Sequence, residues 1–317
     1  RLCNWISSID RKSPVELFTT NYDLLLEDLK NGKLKLFFDS KVPSQTVTAK
    51  TDLSVLLELV SKMSKVVHFL QQERGASTGY ISSNGKKFKS KLLQIRQKSD
   101  DAKKSLLLTL NLNEKLLKTY FSDKEKQRIN SAFNELYLSR NSVKSLKADF
   151  THVYLKYTKI ISFLLLNMSD ISDKLENKKL SDELYTYSIL LMYKESIGQK
   201  RAALSGLFSQ KNVSEKTFEY FLTSDTQEKI YMKSFLHNIN KKTKQYYYKT
   251  LNHDFVKQVK EYENKALLKM KGQPVSVNPE KWFEVVTSKI DLVENVEQYV
   301  YANILNSYDE IEKDLKM

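Results

Sequence analysis

Glycine and proline are scarce in this sequence, at 7 and 4 of 317 residues. A sandwich, a barrel or a doubly wound sheet needs more turns than these can make, so all-β and βαβ readings are excluded and long helices with few connections are expected. Cysteine occurs once, at Cys3, which excludes an intramolecular disulfide framework. With only His68, His152, His237 and His253 beside it, no Cys/His zinc pattern can be assembled, and neither a metal nor a cofactor is expected. Long apolar runs are missing too. The stretch from Ile160 to Met168 is interrupted by Ser162 and Asn167, and it falls well short of the roughly 20 residues that span a bilayer. There is no Gly-rich phosphate loop, no H-E-x-x-H, no serine elbow and no cysteine–histidine pair, so no enzyme is expected and no catalytic residue is assigned. His68 reads as a core or interface histidine.

What is present is charge and helical period. Lys and Arg number 52 against 38 Asp and Glu, a net charge of +14, with 41% apolar residues, the balance of a folded soluble protein. The basic residues are scattered through every segment. The one basic-aromatic cluster, Lys241 to Lys249, spreads Tyr246, Tyr247 and Tyr248 over different faces of a helix instead of building a stacking platform, so nucleic acid is not the expected partner. The length suffices for one large or two smaller bundles.

Apolar residues at Leu56, Leu57, Val60, Met63, Val67 and Leu70 recur near a 3.6 period and predict a helix from Asp52 to about Ser82. A turn at Ser82 to Gly85 separates it from a second helix over about 87–110. Ser122 and Glu125 have capping-box spacing and open a long stretch to about Leu175, with a discontinuity near Asp149. Ser181 is the expected cap of a helix to about Gln210, and Ser214 opens another to about Lys249. After the Gly272 to Pro279 linker, Asn278, Pro279 and Glu280 supply N-cap, first-position proline and first-turn acid for a last helix over 278–317. The chain opens on Arg1 with no signal-peptide pattern, the expectation for an internal piece or a processed form.

The sequence also repeats itself. Gln72-Glu73-Arg74-Gly75-Ala76-Ser77-Thr78-Gly79-Tyr80-Ile81-Ser82 aligns without gaps on Gln199-Lys200-Arg201-Ala202-Ala203-Leu204-Ser205-Gly206-Leu207-Phe208-Ser209, an offset of 127 residues. Two helical bundles related by a pseudo-twofold are expected, each giving one such helix to a shared junction. Arg74 and Thr78 share a helix face, as do Arg201 and Ser205. The small residues Gly75, Gly79, Ala202 and Gly206 let another backbone approach. Glu73 and Glu195 are available carboxylate partners for the arginines. Two like charges at one junction nevertheless favour an anion between them, and a guanidinium fork beside a hydroxyl suits an oxyanion.

His68 through Ser77 resembles the "LQ-x-ERG-x-S" signature of the nitrate- and nitrite-sensing (NIT) domain. Gln94 to Asp100, Tyr137 to Val143 with Tyr157 to Ile161, and Tyr193 to Ala202 resemble further motifs of that family, in family order. The resemblance covers about 52–240, and the helix opening at Pro279-Glu280-Lys281-Trp282 fits the family's ending. It implies an all-α sensor of two up-and-down four-helix bundles with long shared helices, one domain over 1–317, holding nitrate or nitrite by arginines where the bundles meet. The anion ligands it implies are Arg74, Arg140 and Arg201, with Gln72, Thr78, Gln199 and Ser205 nearby. It further implies a homodimeric, periplasmic part of an inner-membrane receptor, anchored by segments outside this chain and signalling to an output module. A sensor of the same fold that takes another small anion, or a binding protein, is the alternative. Lys200 stands where the family motif carries Glu, which is expected to make the arginine site more positive.

Overall fold

The chain divides into two units, Arg1–Ala49 and Lys50–Met317. The computed structural model describes residues 52–210 and 214–314, all in the second unit. Arg1, Cys3 and the end of the last expected helix lie outside the described residues. Over those residues the fold is all-α, with ten helices and no strand. They are α1 (Asp52–Ser82), α2 (Lys89–Leu112), α3 (Glu114–Leu117), α4 (Asp123–Lys144), α5 (Phe150–Asp173), α6 (Lys178–Ser209), α7 (Glu215–Asn238), α8 (Lys241–Leu251), α9 (Asp254–Met270) and α10 (Pro279–Asp314).

Caps explain the boundaries. Ser122 and Glu125 form the reciprocal capping box at α4, the Ser122 N–H donating to Glu125 Oε2 at 2.6 Å. Asn278 Oδ1 accepts from the Glu280 N–H at 2.9 Å, with Pro279 in the first turn of α10. The discontinuity expected near Asp149 is there: Leu146 takes a left-handed conformation (φ 55°), and Asp149 accepts from the His152 N–H to cap α5. Two other expectations are corrected. The helix expected to run from Ser214 to Lys249 breaks at Asn240, whose side chain caps α8. Asn177, not Ser181, caps α6. No helix was expected over α9, although Val259, Tyr262 and Ala266 keep helical spacing between the caps His253 and Lys271.

α1 packs on α2, α5, α6 and α10, while α6 packs on α1, α5, α7 and α10. The two are therefore enclosed on nearly every side, which is why their hydrophobic residues spread round the helix instead of along one stripe. They run parallel and in register: Gln71 meets Glu195, Arg74 meets Gly198, and Thr78 meets Ala202. The duplicated segments thus lie side by side. Gly79 and Gly206 do one job by different neighbours. A Cβ on Gly79 would stand 2.3 Å from the ring of Phe88, and one on Gly206 would stand 2.4 Å from the ring of Phe150. Phe88 itself sits at φ 67°, with its N–H bonded to Glu280 Oε1 at 3.2 Å.

Candidate functional site: two buried arginines at a helix junction

Arg74 of α1 and Arg201 of α6 are both fully buried. Each is held by the same pair of residue types on a neighbouring helix. The Arg74 Nη1 donates to Thr158 Oγ1 at 2.9 Å, and its guanidinium lies 5.7 Å from the centre of the Tyr154 ring, both on α5. Arg201 Nη1 donates to Thr287 Oγ1, also at 2.9 Å, and its guanidinium lies 4.9 Å from the Phe283 ring, both on α10. An aromatic residue and a threonine four positions later recur on one helix face. The pseudo-symmetry expected from the repeat extends to these supports.

The two sites differ in charge. Arg74 is neutralised by Glu195, with Nη1 to Oε1 at 2.6 Å and Nη2 to Oε2 at 3.0 Å, a bidentate pair that Gln71 also joins at 3.0 Å. Arg201 forms no ion pair among the described residues, and its Nε and Nη2 have no hydrogen-bond partner. Those two nitrogens form one edge of the guanidinium, the edge that grips an oxyanion with two parallel bonds. Burial first, and then the neighbouring Arg74 charge, pull the Arg201 guanidinium down to about 9. An arginine gives up its proton only with difficulty, so an anion relieves the same cost more readily. Gly75 makes room for this side chain: a Cβ there would stand 3.0 Å from the Phe283 ring and 3.2 Å from Arg201 Nε.

The residues preceding the two arginines carry opposite charges. Glu73 is buried among Arg140, Arg96, Ser99 and Tyr157, with Arg140 Nε at 2.7 Å and the Tyr157 hydroxyl donating at 2.8 Å. Lys200, its counterpart in the repeat, is buried among Asp225, Glu228 and Glu263 at 2.6, 2.7 and 2.6 Å. The expectation that Lys200 adds charge to the anion site is therefore corrected: three carboxylates surround its ammonium on the far side of α6.

The other expected residues take several places. Arg140 does not join Arg74 and Arg201 in this structure. It grips Glu73 with two nitrogens and also bonds Asp100 Oδ1 at 2.7 Å; against the cost of burial, the Glu73 and Asp100 carboxylates hold its guanidinium firmly protonated. The Gln72 amide lies 2.7 Å from His68 Nε2. Thr78 Oγ1 donates to the backbone carbonyls of Gly75 and Ala202, tying α1 to α6. Gln199 accepts from the Tyr154 hydroxyl and donates to Glu195. Ser205 is buried with its hydroxyl unpartnered. Sequence reading missed Tyr154, Thr158, Phe283 and Thr287. Their spacing was the available signal: each pair is i, i+4, and the two pairs stand 129 residues apart, close to the 127 of the repeat.

A family profile described as nitrate and nitrite sensing matches residues 65–305. The chain belongs to the NIT family. Among solved structures, the NasR transcription antiterminator matches with a TM-score of 0.71 at 18% identity, over 82% of this chain and 70% of that one. At that identity the likeness bears on the fold. No curated protein sequence matches the chain significantly. Within this NIT domain, two of the family-like motifs converge on the junction: His68 to Ser77 brings Arg74, and Tyr193 to Ala202 brings Glu195 and Arg201. The Tyr157-Thr158 motif contributes Thr158 as a support of Arg74.

Proposed function

We propose that this NIT domain senses nitrate or nitrite, and that Arg201 is the principal anion ligand. The observation that carries the reading is the fully buried Arg201 guanidinium with its Nε and Nη2 edge unpartnered. Nitrate is planar with three acceptor oxygens. Two can take the Arg201 edge, and the third can face Arg74 if Glu195 yields part of its bidentate grip. Thr78 ties α1 to α6, Gln199 holds Glu195 and Tyr154, and the unpartnered Ser205 hydroxyl, one turn beyond Arg201 on α6, is a further donor. Each charge-assisted bond is worth about 1.5–3 kcal/mol net, enough for micromolar binding, about −8 kcal/mol, after association costs.

Ligand capture would draw α1, α6 and α10 together, because Arg201 lies on Gly75 of α1 and is bonded to Thr287 of α10. A shift of these helices is the conformational signal in this reading, and it requires the two states to differ in affinity for the anion. Nitrate or nitrite at about 100 times Kd should stabilise the domain by roughly 2.7 kcal/mol, read as a rise in Tm. Arg201→Ala should abolish the rise, while chloride should produce none. A protein indifferent to both anions at millimolar concentration overturns the reading, and a calorimetric panel of other small oxyanions tests the alternative ligand.

The family resemblance further supports an extracytoplasmic receptor part acting as a homodimer. The likeness of fold to a transcription antiterminator favours a second reading, in which the same sensor controls transcription. Among the described residues no helix is long and apolar enough to cross a membrane. A phosphatase fusion to the full-length protein, active only outside the cytoplasm, distinguishes the two placements, and the mass of the protein in solution tests the dimer.

A further inference from the structure

Two clusters that give no hydrogen bond to either arginine of the junction bring three metal-type ligand atoms within 4.8 Å of one another: Asp225, Glu228 and Glu263, and His68, Asp291 and Glu294. The first is already filled, since Lys200 Nζ sits against all three carboxylates and serves as the cation. The second has no lysine or arginine in ion-pair contact with it among the described residues.

His68 projects from α1 toward Asp291 and Glu294, which share one face of α10 at i, i+3 spacing. Its side chain is 9% exposed, its Nδ1 has no hydrogen-bond partner, and that nitrogen lies 3.2 Å from Glu294 Oε2. Two ligands bound tetrahedrally at about 2.1 Å stand about 3.4 Å apart, so this pair is already at coordination spacing. Asp291, at the surface, has a carboxylate oxygen within 4.8 Å of both and is the third ligand. The Gln72 amide nitrogen lies 2.7 Å from His68 Nε2; with the amide turned over, its oxygen accepts from an Nε2–H and leaves the Nδ1 lone pair facing the carboxylates. Metal-bound imidazoles are oriented by a second hydrogen bond of this kind.

Lys194, which faces the cluster, is paired with Glu297. A cavity of about 200 Å³ opens beside His68 and Glu294, lined also by Ser61, Ser64 and Lys65, and gives room for coordinating water. One imidazole and two carboxylates suit a first-row divalent ion better than calcium or magnesium, which take all-oxygen shells.

We propose that His68, Asp291 and Glu294 form a binding site for a divalent first-row transition metal that bridges α1 and α10. The test is a Co2+ titration of the full chain followed by visible d–d absorption, with Zn2+ calorimetry beside it and no nitrate present, so that its outcome is separate from the anion reading. Cys3 is another strong ligand in the sequence, so Cys3→Ser serves as the background. The expected result is one ion per chain, binding lost in His68→Ala and weakened at least about ten-fold in Glu294→Gln, with His253→Ala unchanged. Circular dichroism verifies that each variant is folded, and Glu294→Gln, at a half-buried position, carries the test if His68→Ala does not fold. No binding by the parent protein, or equal binding by Glu294→Gln, overturns the proposal.

Discussion

At the scale of single residues, the two arginines show how one side chain in two similar settings is left with different work to do. Both are buried beside an aromatic ring and a threonine, but only Arg74 has a carboxylate, and so only Arg201 carries an unspent pair of donors. Thr287→Val should leave the fold intact and loosen the Arg201 fork. A loss of about 1 kcal/mol, or roughly five-fold in nitrate affinity by calorimetry, is expected, and unchanged affinity would remove Thr287 from the site. Lys200 makes the opposite case. Replacing it with the family's Glu sets a fourth carboxylate among Asp225, Glu228 and Glu263, so Lys200→Glu should fail to fold instead of changing ligand preference. Lys200→Met, which removes the cation the three acids share and leaves them only Lys229, Lys289 and Lys260, should cost about 3 kcal/mol in denaturant unfolding. A Lys200→Glu protein that unfolds like the parent would show that the cluster is not structural.

At the scale of elements, the starts of α4 and α10 were legible because their caps lie within a few residues of each other in the chain. Ser122 with Glu125 and Asn278 with Pro279 needed no tertiary information. The discontinuity near Asp149 was legible as well, but the break at Asn240 was not, since it falls between segments whose helical patterns nearly run on. The repeat was legible from its scarce glycines, but the reason for those glycines was not. Each accepts a phenylalanine ring, one from the turn after α1 and one from the start of α5. Gly79→Ala and Gly206→Ala should each therefore destabilise by about 1–3 kcal/mol despite better helix propensity. Gly75→Ala is different: its Cβ meets the Phe283 ring at 3.0 Å and Arg201 Nε at 3.2 Å, so it should weaken nitrate binding more than it lowers Tm. Equal effects of the three substitutions on stability and binding would contradict this division.

At the scale of the whole molecule, charge is organised inside as well as outside. A net charge of +14 coexists with two buried clusters of opposite polarity at equivalent places, one centred on Glu73 and one on Lys200. The second sets an acid limit. Although burial opposes ionisation, Lys200 and Lys229 hold the Asp225 carboxyl down from 3.8 to about 2. A depressed carboxylate stabilises in full above its unfolded pKa and loses that contribution as pH falls through its folded one. Tm should thus be level down to about pH 4 and decline from there toward pH 2, and Asp225→Asn should flatten that decline while lowering Tm at neutral pH. A variant that keeps the parent's acid profile would count against the pairing.

By itself the sequence was enough to determine an all-α chain, the two duplicated helices, the caps at Ser122 and Asn278 and membership in a nitrate-sensing family, because each of these is written in local period, local spacing or contiguous motif. Tertiary structure alone decided which charges find partners. Glu195 reaches Arg74 from 121 positions away, Glu73 claims Arg140 from 67, and three acids from two other helices surround Lys200. Pairing in a buried junction depends on which helix faces are brought into contact, and that is settled by packing across the whole domain, not by any stretch of residues read in order.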